Sequence, residues 1–179
     1  MKNKLIYITN TRIPSEKANS YQSIQMCNSF AKVYDEVQMW VPKSINTPEM
    51  KQYEKDPYSF YGIEKTFKIK KLFTINYWWI HNLSQFLWSN LGAVTFATSV
   101  LFKLKTYGKE YTVFTRDWMV LKILLVGKKL GLIKNKIFYE AHKFSDHLIP
   151  NFKKADGVIV LNEQLKKMNE KKDVKNNLV

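Results

Sequence analysis

At 179 residues the chain has room for one domain with a continuous core, and 45% hydrophobic residues with only 6 Gly and 5 Pro exclude a disordered or collagen-like polymer. A single cysteine, Cys27, excludes an intramolecular disulfide and suits a reducing compartment. The net charge of +14, carried by 27 Lys and only two Arg, points toward polyanionic partners (nucleic acid, anionic lipid or phosphate-bearing substrates) without choosing among them.

The first residues run straight into a short apolar stretch, so no signal peptide is expected and residues 4–9 (KLIYIT) read as a buried parallel strand. A loop over 10–18 leads into a helix. Asn19 and Gln22 have the spacing of a capping box, and Ile24, Cys27, Ala31 and Tyr34 form one apolar face. Residues 37–41 form a second strand, ended by Pro42. The span 43–62, with two prolines and mixed charge, reads as irregular surface loop, and 66–72 as an edge strand. Helices are expected within 72–102. A strand at 111–115 (YTVFT) and a helix over 118–130 follow, stopped by Gly131. A strand at 137–141 (IFYEA), a short helix near 148–154 and a last strand at 157–161 (GVIVL) complete the pattern, with Asn162 placed to cap a final helix. Strands alternating with helices predict a Rossmann-like α/β fold, a parallel sheet with helices on both faces. The domain is expected over 1–165, and 166–179 as a lysine-rich polar tail.

Open parallel sheets bind ligands at the carboxyl ends of their strands. That rule selects Asn10, Thr11 and Arg12 after the first strand, Arg116 and Asp117 after the YTVFT strand, His142 and Lys143 after IFYEA, and Asn162 and Glu163 after GVIVL. Both arginines of the chain fall at such ends, where a planar fork suits carboxylate or phosphate; a salt bridge to a neighbouring acid is the structural alternative for Arg116. His142 is the candidate catalytic residue. One Cys and three His build no familiar zinc site, so no metal is expected. The first loop contains no glycine, which argues against a nicotinamide or flavin cofactor.

Residues 65–109 contain no Asp or Glu, carry seven lysines toward the two ends, and hold three of the five tryptophans. Aromatic rings framed by lysines suit an anionic membrane surface, with Trp78, Trp79, Trp88, Lys70 and Lys71 as contacts; core helices are the competing reading. The polar residues 76–90 and the short apolar run 91–102 argue against a span. Nucleic acid is disfavoured by the scarcity of Arg and the lack of a recognisable motif.

The opening KLIYITNTRIPSEKANSYQSIQMCNSFAK, with its P-S-x-x-A-x-S-x-Q loop, resembles the first strand, loop and helix of glycosyltransferase family 4; YTVFTRD, IFYEAHKFSD and ADGVIVLNEQLKK resemble that family's later strand ends. The resemblance implies one half of a GT-B fold: the acceptor-side domain of a retaining, nucleotide-sugar-dependent transferase acting in surface polysaccharide or glycolipid synthesis. It places His142 beside the transferred sugar. The glycine-rich first loop of many members is missing here. The implied donor is a nucleotide sugar held mainly by a second Rossmann-like domain, with no other cofactor. The implied partners are a glycan or lipid-linked acceptor and a separate C-terminal half; the implied location is cytoplasmic, peripheral on the inner face of the plasma membrane. A non-catalytic glycan-, lipid-carrier- or partner-binding module of the same fold is the alternative.

Overall fold

The computed structural model describes residues 3–75, 85–142, 145–172 and 174, with only the backbone for 85–89. Six parallel strands form one sheet: β1 (Lys4–Ile8), β2 (Glu36–Pro42), β3 (Lys68–Leu72), β4 (Tyr111–Thr115), β5 (Ile137–Ala141) and β6 (Gly157–Val160), in the order β3-β2-β1-β4-β5-β6. The chain winds outward from β1 in both directions, so the strand order reverses between β1 and β4. In doubly wound sheets that reversal opens a crevice at the carboxyl edge. The expected Rossmann-like fold is the observed one.

The helices are α1 (Ala18–Phe30), α2 (Pro48–Lys51), α3 (Pro57–Phe60), α4 (Gln85–Leu104), α5 (Trp118–Lys129), α6 (Ile149–Phe152) and α7 (Glu163–Glu170). Alternation along each strand sends side chains to two cores. Ile6 and Ile8 of β1, Val113 of β4, and Ile137 and Tyr139 of β5 pack with Phe96, Val100 and Leu104 of α4 and Leu121 and Leu124 of α5. Leu5 and Tyr7 of β1, Val37, Met39 and Val41 of β2, and Phe114 of β4 pack with Ile24 and Cys27 of α1. Helices α4 and α5 approach closely at Gly127, where a Cβ would lie 2.3 Å from Leu101 Cδ1. Any larger residue there must displace the Leu101 side chain.

Several local expectations are corrected. Helix α1 starts at Ala18 with Lys17 at its N-cap and no side-chain cap, so Asn19 and Gln22 are not a capping box. The helix ends at Phe30, leaving Ala31 and Tyr34 beyond it, both packed at the edge of the core. The 43–62 span contains α2 and α3, each opened by a proline in the first turn (Pro48, Pro57), where a fixed φ and a missing N–H cost nothing. Helix α7 runs through residue 165 into the expected tail and buries Leu165 and Asn169. The stop of α5 is as expected: Gly131 has φ 71°, its N–H bonds Lys128 O at 3.1 Å, and Leu132 N–H bonds Gly127 O at 2.9 Å. That pair of bonds satisfies carbonyls the helix end leaves open.

Candidate functional site

Sheet parity builds the site. Ile137, Tyr139 and Ala141 of β5 face α4 and α5, so Glu140 faces α1, and His142, two residues later, leaves the strand on the same side. On β4, Phe114 faces α1 and Arg116 follows it two residues on. The neighbouring strand ends thereby place a guanidinium, an imidazole and a carboxylate together under the helix.

Arg116 Nη1 donates to Gln22 Oε1 of α1 at 3.0 Å, and Nη2 lies 3.3 Å from His142 Nδ1. His142 Nε2 lies 2.7 Å from Glu140 Oε1. The Glu140 side chain is only 3% exposed, against 31% for His142. Apart from the imidazole contact, neither Glu140 oxygen has a hydrogen-bond partner among the described residues. A guanidinium can only donate, so Nδ1 is the acceptor and the proton of the neutral ring sits on Nε2, toward Glu140. Burial first and then Arg116 push the His142 pKa down, while Glu140 pulls it back up. Tyr7 lies on the same sheet face with its hydroxyl 3.4 Å from Ser23 Oγ; burial pushes its pKa up to about 12, and it stays neutral.

The other expected residues divide. Asn10 is exposed at the rim of the first loop. Thr11 is buried, its Oγ1 3.1 Å from Ser20 Oγ. Arg12 pairs with Glu16 at 3.0 Å within its own loop. Tyr61 pins that loop by accepting from Ser15 N–H at 2.8 Å and donating to Ser15 O at 2.9 Å. Asp117 is the N-cap of α5: its Oδ1 accepts from Met119 N–H at 2.9 Å and Val120 N–H at 3.0 Å. Such caps contribute about 1 kcal/mol. Burial pushes the Asp117 carboxyl up and the two amide bonds oppose the rise. Asn162 caps α7 through Leu165 N–H at 2.8 Å, and Glu163 is exposed in the first turn of that helix. Lys143 lies outside the described residues. Arg116 is engaged by Gln22 and His142 and, among the described residues, forms no salt bridge with Asp117 or another acid.

Sequence reading overlooked Glu140 and Gln22. The signal for Glu140 was available: it is the only charged residue inside an otherwise apolar buried strand, where an acid needs a partner. Gln22 was assigned to a cap that does not form.

The membrane candidates also divide. Trp78 and Trp79 lie outside the described residues, as does the Trp88 side chain. Lys70 turns onto the Tyr107 ring, 5.0 Å from its centroid, and its ammonium donates to the Tyr107 hydroxyl, while Lys71 is exposed. Phe96, Ala97, Val100 and Leu101 of that apolar run, and Leu104 just beyond it, are core, so part of the run belongs to the fold; Phe73 and Phe102 are 65% and 62% exposed. No described helix is long and apolar enough to cross a membrane.

A cavity of about 260 Å³ lies at the opposite end of the sheet, beside the segments that lead into β4 and β5, lined by Tyr107, Lys109, Ile133 and Asn135 among others. It is far from the strand ends where doubly wound sheets work, and we assign it no part in the site. Among the described residues no group of three or more His, Cys, Asp or Glu is arranged to hold a metal ion. Comparison with protein-family models finds no match, and no curated protein is similar in sequence.

Proposed function

We propose that this chain is the acceptor-binding half of a retaining, nucleotide-sugar-dependent glycosyltransferase. The observation that carries the reading is the Arg116–His142–Glu140 constellation at the carboxyl ends of adjacent strands, on the face where the family 4 resemblance expects a histidine beside the transferred sugar. In transfer, the bond from the anomeric carbon to the leaving phosphate oxygen breaks and a bond to the acceptor oxygen forms. A preorganised imidazole and guanidinium at that point can hold the sugar and offset developing charge. The donor half of such an enzyme is a second unit of the same kind.

Hexose 1-phosphate binding tests this placement. In a titration followed by backbone amide shifts, the largest changes are expected at residues 10–12, 116 and 142. Changes clustered around Tyr107, Lys109 and Asn135 at the opposite end, or no binding at all, count against it.

The same reading supplies a lipid-linked acceptor and hence an anionic membrane surface. What supports it is the acid-free 65–109 segment with exposed Lys71, Phe73 and Phe102. Each lysine near such a surface contributes about 1 kcal/mol, screened over about 8 Å at physiological salt. Co-sedimentation with anionic vesicles and weak binding to neutral ones is the expected result. Replacing Phe73 and Phe102 with Ser should remove the salt-resistant part without lowering Tm. Equal binding to both vesicle types, or to neither, contradicts it.

A further inference from the structure

Arg116, His142 and Glu140 form a charge relay whose middle member is neutral. The cation sits on Nδ1 of the imidazole, and the buried carboxylate faces Nε2. The carboxylate has no other hydrogen-bond partner among the described residues, and its side chain is 97% buried as the complement of 3% exposure. It therefore has little means of neutralisation except through the ring. Arg116, by contrast, is half-exposed and, among the described residues, held by a glutamine and the imidazole, so an incoming anion can recruit it at small cost.

We propose that this relay is a binding site for a tetrahedral dianion of the phosphate class, and that binding takes up one proton at His142 Nδ1. The anion draws the Arg116 fork away from Nδ1 and vacates that lone pair. A proton from solvent then bonds to Nδ1, converting the ring to an imidazolium between two negative groups. Glu140 keeps its charge on the far side and holds Nε2–H in place. The bound state then presents two cations to the ligand where the free state presents one. Oppositely charged groups within about 4–6 Å favour the charged ring by about one to three pH units. Among the described residues, the charged groups that surround the imidazole are Arg116 from the end of β4 and Glu140 on β5. Asp117, committed to its cap, and the neutral Tyr7 on β1 lie further along the same strand ends. This site stands on these side chains and does not depend on the transferase reading.

The test uses the full chain and sodium sulfate, a dianion with no proton of its own to exchange near neutral pH. The chain has three histidines, so a ring-proton NMR titration resolves His142 once His142→Gln assigns its signal. Saturating sulfate is expected to move the His142 titration midpoint up by at least about one pH unit. Arg116→Gln is expected to raise the midpoint without sulfate, because Nδ1 is already vacant, and to reduce the sulfate response several-fold. Glu140→Gln is expected to lower the midpoint in both states. A midpoint that sulfate leaves unmoved overturns the proposal, as does an equal sulfate response in wild type and Arg116→Gln. Sulfate bound only by scattered lysines would leave the His142 signal unmoved, which is the first of those outcomes. Hexose phosphate binding elsewhere with a positive sulfate result would refute the transferase placement and keep the anion site.

Discussion

In an enzyme completed by a donor-binding unit, His142→Ala is expected to lower kcat by about 10²-fold or more, the loss typical of removing a preorganised polar group from an active site. The structure adds a stability term. His142 is the one neighbour that Glu140's oxygens reach among the described residues, so alanine leaves a buried carboxylate without company. Leaving such a group unsatisfied costs about 1–3 kcal/mol. The single variant should therefore lose both activity and some Tm. Adding Glu140→Gln removes the stranded charge and should restore most of the Tm while activity stays low. Activity that returns with the Tm would mean that His142 serves the fold alone.

How much of this was legible in the sequence follows from the kind of signal each feature leaves. The strands at 4–8, 111–115 and 137–141 are short apolar runs with β-branched and aromatic residues and both faces buried, a length and composition that favour a strand over a buried helix. Helix α1 was displaced because its N-terminus has no capping side chain, and the nearest plausible cap, Asn19, lies inside the first turn. The two proline-opened turns at Pro48 and Pro57 were hidden because proline reads first as a breaker. At the site, the rule about strand ends found the right positions and in part the wrong roles. A short strand-to-helix turn makes the same residues available for ligand contact and for capping. Asp117 and Asn162 are committed to capping, and Arg116 and His142 remain with exposed side-chain surface. Glu140 could have been found by sheet parity, since it and His142 must leave β5 on one face. Its contact with the ring depends on the rotamers of both residues, which no sequence pattern encodes.

The second large effect concerns the whole reaction. The described residues build one six-stranded sheet with its strand ends at the surface. The proposed transfer needs a second such unit to grip the nucleotide sugar, close over the strand ends and exclude water, because electrostatic stabilisation of the sugar cation is strong only in a closed, preorganised cleft. The expected change on adding that unit is from no detectable transfer to turnover. The most direct measurement incubates the purified chain with labelled nucleotide sugars and membranes bearing lipid-linked acceptors, alone and covalently joined to a donor-binding GT-B half. The account predicts labelled glycolipid only from the joined protein, and loss of that signal with His142→Ala. Transfer by the chain alone, or none from a joined protein that folds and binds its nucleotide sugar, would contradict it.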